Sequence, residues 1–251
     1  MDMMEVPEPF SSDTPSLGCW LKVPSSTTAE IAAQAGFDYV CVDMQHGMAD
    51  RSDLLTMLQA IQPHSRRTLV RVPANELSVI GWALDMGATG VIVPLVNSAA
   101  DAEAAVRATR YPPDGDRSMG PTRAIRIFGE ACVEQAGKAI QCIPMIETRR
   151  ALENLDEILA VPGVDLVYVG PSDLSVNLGL GRGNNDGEPA FDEALAAILD
   201  ACRRHGVVPG IHSNASLAKR RLEAGFRVLT VAEDDTAMLS GLAAVLDDLG
   251  R

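Results

Sequence analysis

Val-Asp-Leu-Val-Tyr-Val-Gly-Pro-Ser-Asp-Leu-Ser, residues 164–175, runs from an apolar, β-branched stretch into a polar turn. A short apolar run that stops at Gly170 and Pro171 reads as a parallel strand covered on both faces. The turn after it lies at the strand's C-terminal end, where functional groups collect in α/β folds, and it delivers Asp173 there. Residues 139–148 have the same form and end their apolar run with Glu147. One strand-helix-strand step separates the two acids, so they are expected side by side at one rim, as a hard-oxygen pair suited to a divalent cation. Each acid also stands where a helix cap belongs, and capping is the competing reading.

Outward from these two stretches the same alternation continues. Strands are expected over residues 17–23, 39–43, 68–72, 89–94, 139–146, 166–169, 207–211 and 227–231, with helical patterns between them. Eight strand-helix units, with neither GxGxxG in the first turn nor GxxxxGK[ST] anywhere, predict an α/β (β/α)8 TIM barrel, with a doubly wound sheet as the runner-up. Residues 1–15 are rich in Pro, Ser and acids and are expected to form a poorly ordered N-terminal extension, leaving 16–251 as a single barrel domain. The connection over 111–138 is too long for filler and reads as a functional loop or subunit contact.

Composition narrows the function. The formal net charge of −13 opposes binding to nucleic acid or to an anionic membrane surface. A small anionic substrate is still compatible with it if arginines converge locally. The five cysteines have no CxxC pairing or zinc spacing and read as buried thiols of a reducing compartment. With neither a signal-peptide pattern nor an apolar span, the cytoplasm is the expected location.

A barrel sorts titratable groups by rim. Asp43, Gln45 and His46 follow the second strand, Arg71 ends the third, Glu147 the fifth, Asp173 follows the sixth, and His212 with Ser213 follows the seventh. His64 and His205 follow helices and belong to the other rim. His46 is the candidate general base, against the plain reading of a hydrogen-bonded turn histidine. Arg71 suits a carboxylate or a developing enolate oxygen, or else an ion pair with a neighbouring acid. Asp43 is counted with the catalytic set. Trp20, Met145, Gly170, Pro171, Ser172 and His212 are expected to contact substrate. Of the three lysines only Lys22 ends a strand, which disfavours a Schiff-base mechanism without excluding it.

Several of these segments together resemble a known family. Gly36-Phe37-Asp38-Tyr39, Val42-Asp43-Met44-Gln45-His46-Gly47, Val70-Arg71-Val72-Pro73, Leu84-Asp85-Met86-Gly87, Arg107-Ala108-Thr109-Arg110-Tyr111-Pro112-Pro113, Ile146-Glu147-Thr148 and Val169-Gly170-Pro171-Ser172-Asp173-Leu174-Ser175 look like the HpcH/HpaI aldolases, in order and spacing. The resemblance spans about residues 15–249. It implies a (β/α)8 barrel whose last helix swaps between partners, hexamers built from such dimers, and Mg²⁺, Mn²⁺ or Co²⁺ as cofactor. Carried over by position, Glu147 and Asp173 would bind the metal and His46 would act as base. Arg71 would steady the enolate, the backbone at Ser172 and Asp173 would hold the substrate carboxylate, and Asp85 would raise the basicity of His46. The strand map puts Asp85 on the opposite rim, so either that boundary is displaced or Asp85 serves a neighbouring subunit. Two departures stand out: Gln45 where many members have Glu, and Met145 where many have Gln.

The expected activity is reversible retro-aldol cleavage of a 4-hydroxy-2-oxo acid to pyruvate, or a related 2-oxo acid, and an aldehyde. A citramalyl- or malyl-CoA lyase is the alternative, and would need a cationic groove for which Arg117, Arg123 and Arg126 are the clustered candidates. A non-catalytic metabolite-binding barrel is the third reading.

Overall fold

The computed structural model describes residues 4–65 and 67–250. Its strands are β1 (Ser16–Leu21), β2 (Tyr39–Asp43), β3 (Thr68–Arg71), β4 (Gly90–Val93), β5 (Gln141–Ile146), β6 (Leu166–Val169), β7 (Val208–His212) and β8 (Val228–Glu233). All neighbours pair in parallel in sequence order, and β8 returns to β1 to close the barrel. The helices are α1 (Ser26–Gln34), α2 (Arg51–Ile61), α3 (Leu77–Asp85), α4 (Ala99–Thr109), α5 (Thr122–Phe128), α6 (Ala131–Ala139), α7 (Arg149–Glu153), α8 (Leu155–Leu159), α9 (Pro171–Asn177), α10 (Pro189–His205), α11 (Ala215–Ala224) and α12 (Asp234–Asp248). Side-chain caps fix several helix starts: Ser25, Ser98, Thr148 and Asn214 each accept a first-turn amide, and Asp50 forms a capping box with Asp53. The (β/α)8 expectation is met, and α5 and α6 occupy the long connection. Among the described residues no helix is long and apolar enough to cross a membrane.

The strands alternate between two apolar shells, as a period of two requires. Outward residues such as Val40, Val42, Val70 and Val91 join the helices in one cluster, while Trp20, Cys41, Leu69, Ile143, Met145 and Tyr168 fill the lumen in another. Gly18 exists to admit the lumen: a Cβ there would lie 2.1 Å from Tyr39 Cζ. Thr230 Oγ1 lies 3.0 Å from the Tyr39 hydroxyl and 2.5 Å from that of Tyr168, so both buried phenols are satisfied. One further step of the alternation, beyond Cys41, Leu69, Met145 and Tyr168, reaches Asp43, Arg71, Glu147 and Gly170. The apolar filling thus gives way to chemistry at one end only.

The other end is closed by part of the N-terminal segment for which disorder is expected: residues 4–15 are placed on the barrel, and residues 1–3 lie outside the described residues. Phe10 is buried and meets Tyr39 edge-on at 5.4 Å between centroids. Its amide donates to Gln141 Oε1, while the Arg67 guanidinium lies over its ring and donates to the Glu8 carbonyl. Composition undervalued this single aromatic anchor, which fills the lower mouth of a barrel that would otherwise expose Tyr39.

Candidate active site

The upper mouth opens into a cavity of about 1170 Å³. Trp20, His46, Arg71, Met145, Gly170, Pro171, Ser172, Asp173 and His212 line it, as expected from sequence, together with Lys22, Arg182 and Glu233. Three expected site residues do not line it: Asp43, Glu147 and Asp85.

Asp43 is fully buried and works through its neighbours. Its carboxylate receives Arg71 Nε at 2.8 Å and Nη2 at 2.5 Å, Trp20 Nε1 at 3.2 Å, and the amides of Gln45 and His46 at 3.0 and 3.2 Å. Burial works against its charge, but the Arg71 guanidinium more than offsets this and holds the carboxyl below its ordinary range. Asp43 therefore aims Arg71 and anchors the turn that presents His46, and it has no surface on the cavity. Arg71 also stacks its Cζ 5.1 Å from the Trp20 centroid, and its Nη1 has no partner among the described residues. His46 is exposed in the cavity, and its imidazole makes no hydrogen bond among the described residues.

Glu147 lies behind Gly170: a Cβ on that glycine would come within 2.6 Å of Glu147 Oε2. The Leu95 amide donates to Glu147 Oε1 at 2.7 Å, from a residue held at φ 56°. Burial pushes the Glu147 carboxyl up to about 7; the Leu95 amide pulls it back, the Asp173 charge adds to the rise, and Arg71 opposes it. Oε2 of Glu147 and the carboxylate of Asp173 accept no hydrogen bond among the described residues. Neither acid caps its helix, since Thr148 caps α7 and α9 has no side-chain cap. Two unclaimed carboxylates, one of them costly to ionise alone, suit a hard dication. No group of three or more His, Cys, Asp or Glu is placed to hold a metal among the described residues, so other ligand positions would fall to substrate oxygens and water.

Pro171 opens α9 without wasting an amide, and Leu174 makes the first intrahelical bond, to Gly170. The Ser172 and Asp173 amides are left without a helical acceptor beside the cavity.

Of the two options open for Asp85, the displaced boundary falls away. Asp85 ends α3 at the rim where strands begin, as the sequence map had it, and pairs with Arg117 at 2.7 Å. Within its own chain it does not reach His46. Two of the three arginines expected to serve CoA phosphates are also committed there, buried Arg117 to Asp85, and Arg123 to the Met86 carbonyl and Gln62 Oε1, while Arg126 is exposed on α5. Lys22 is held protonated despite partial burial by Glu233, 2.7 Å away, which removes the neutral amine a Schiff base needs. The sequence pattern ends the eighth strand at residue 231 and so offers no site role for Glu233. The strand runs two residues further, and Glu233 was hidden among the acids that begin α12.

A profile of the HpcH/HpaI aldolase/citrate lyase family matches residues 16–240. The chain is 42% identical over 238 residues to a 4-hydroxy-2-oxo-heptane-1,7-dioate aldolase of Klebsiella pneumoniae, covering 92% of this chain and 88% of that one. It is 41% identical over 230 residues to a 2-dehydro-3,6-dideoxy-6-sulfogluconate aldolase of Pseudomonas putida, covering 89% and 88%. A crystal structure of a HpcH/HpaI aldolase/citrate lyase family protein from Burkholderia cenocepacia superposes with a TM-score of 0.87 at 34% identity, covering 95% and 96%. A lumen that ends in carboxylates, an arginine and a histidine, on a chain so matched, leaves one assignment: it belongs to the HpcH/HpaI aldolase/citrate lyase family.

Proposed function

We propose that this protein is a divalent-metal-dependent aldolase that reversibly cleaves a 4-hydroxy-2-oxo acid into pyruvate, or a related 2-oxo acid, and an aldehyde. The observation that carries the reading is the pair Glu147 and Asp173, with unclaimed oxygens beside a cavity that also holds Arg71 and His46. Relatives named as aldolases support carbon–carbon cleavage over other uses of the barrel.

Glu147 and Asp173 would hold Mg²⁺, Mn²⁺ or Co²⁺. Such a cation supplies Lewis acidity toward the oxo-acid oxygens. The free amides of Ser172 and Asp173 bind the substrate carboxylate, and Arg71 offers Nη1 to the oxygen that gains charge as the C3–C4 bond breaks. His46 accepts the C4 hydroxyl proton in cleavage and a C3 proton of pyruvate in synthesis. Met145 presents a thioether where a polar contact to the oxo acid would otherwise stand.

The active assembly is a homo-oligomer, a hexamer by family resemblance. Met238, Leu239, Leu242, Val245, Leu246 and Leu249 on the last helix and its end are all at least half exposed, an apolar face that a partner would cover. In that assembly Asp85 serves a neighbour's His46. The five cysteines are free, in keeping with a cytoplasmic setting. The test is pyruvate-forming cleavage with Mg²⁺, Mn²⁺ or Co²⁺, abolished by EDTA. Persistence in EDTA together with a borohydride-trapped pyruvate–lysine adduct would refute it, as would a solely monomeric active species for the assembly.

A further inference from the structure

The wall formed by β7, β8 and the end of β1 carries polar chemistry that the cleavage step does not use. His212 Nε2 lies 2.7 Å from Glu233 Oε1, and Lys22 Nζ lies 2.7 Å from Glu233 Oε2. Thr236 Oγ1 donates to the same Oε2. All four side chains line the cavity. We propose that this cluster recognises a hydroxyl group on the aldehyde partner, so that the acceptor is a hydroxyaldehyde rather than a plain alkanal; the inference rests on the aldolase reading above.

Position comes first. The Trp20 ring joins the two halves of the cavity, with Arg71 Cζ 5.1 Å and the His212 ring 5.0 Å from its centroid. His212 therefore stands one indole away from the arginine assigned to the oxo acid, where the carbons of the aldehyde fragment belong.

Hydrogen-bond chemistry then selects the ligand. Glu233 is held ionised by His212 and Lys22 and can only accept, so the imidazole hydrogen sits on Nε2. Nδ1 is left without a partner among the described residues. It accepts a hydrogen bond when the ring is neutral and donates one when the ring is charged, and a hydroxyl can answer both. A carboxylate can answer only the second. The local charge points the same way, since Lys22 is outnumbered by Glu233, Asp234 and Asp235, with Lys22 bound to the first and third and Asp234 accepting the Lys22 and Val23 amides. An anionic acceptor would be drawn instead toward Arg182, which also lines the cavity and has no ion-pair partner among the described residues.

The test compares glyceraldehyde, propanal and succinic semialdehyde as acceptors for pyruvate, with Mn²⁺ present. A single half-buried polar contact is expected to favour glyceraldehyde over propanal by about 10- to 100-fold in kcat/KM. His212→Leu should collapse that ratio to about threefold or less. Intrinsic reactivity differences between the aldehydes cancel between variant and wild type. Glu233→Gln, which keeps shape but frees the tautomer, should lower the ratio in the same direction and carries the test if His212→Leu fails to fold. A wild-type ratio near one, a ratio unmoved in the folded variants, or a preference for succinic semialdehyde would overturn the proposal. Exchange of pyruvate C3 protons in deuterated buffer separates the two levels. Exchange without hydroxyl preference defeats this inference alone, whereas absence of both exchange and product defeats the aldolase reading and this inference with it.

Discussion

Asp43→Asn is a nearly isosteric change that should be severe. All five groups around the carboxylate are donors: two from Arg71, the Trp20 indole and the amides of Gln45 and His46. Whichever way the new amide turns, its NH₂ faces a donor. In the milder orientation it meets Arg71 Nη2 and Trp20 Nε1; in the other, Arg71 Nε and both backbone amides. Breaking a buried pair from one side costs about 3–5 kcal/mol, because the surviving charge stays buried. For a chain of this size that is roughly 6–20 °C in Tm. Misaimed Arg71 and a loosened His46 turn should also lower kcat by about 10²–10³-fold.

The pH dependence gives the sign. Asp43 is held below its ordinary value of 3.8, so its contribution is complete above that value and is lost as pH falls through the lower folded value. Wild type and variant should therefore differ most near neutrality and converge in strong acid. Urea unfolding at fixed protein concentration, at pH 7 and stepwise below pH 4, measures this alongside kcat. A variant within about 1 kcal/mol of wild type at pH 7 that keeps activity within fivefold would refute the role assigned to Asp43.

Gly170→Ala should leave the barrel folded by circular dichroism but, with its new Cβ falling 2.6 Å from Glu147 Oε2, displace that oxygen and lower metal-dependent activity by about 10²-fold even at saturating Mn²⁺; full activity would show that the position of Glu147 Oε2 does not matter to the reaction. Because Glu147 stands at about 7 in the metal-free protein, apparent Mn²⁺ affinity should fall about tenfold per pH unit below 7 and level off above it, measured by calorimetry; a flat profile from pH 6 to 8 contradicts this. Phe10→Ala should cost about 3 kcal/mol, read in thermal unfolding, while kcat stays within twofold, since Phe10 plugs the mouth away from the chemistry.

The barrel was legible because each strand announces itself by an apolar run and a turn, as residues 164–175 do. The rim groups His46, Arg71 and Asp173 were legible by the same logic, since position after a strand fixes the face. What escaped depended on contacts between distant segments. That Asp43 is buried under Arg71 cannot be read from a residue that only precedes a turn. Phe10, in a segment of disorder-prone composition, is held by Tyr39, Arg67 and Gln141. Glu233 is assigned by pairing with His212 and Lys22, neither of them near it in sequence. The helix pattern puts Asp85 on the rim where the structure has it, at the end of α3.

From Phe10 through Tyr39, Thr230 and Tyr168 to Trp20, the lumen is packed solid along its axis. Among the described residues these contacts leave no second opening along the axis. Reactants and products are then expected to share the upper mouth, whose walls include His212. The vestibule that Arg71, Asp173 and His212 line therefore has its floor at Trp20 and Tyr168 and faces away from Phe10.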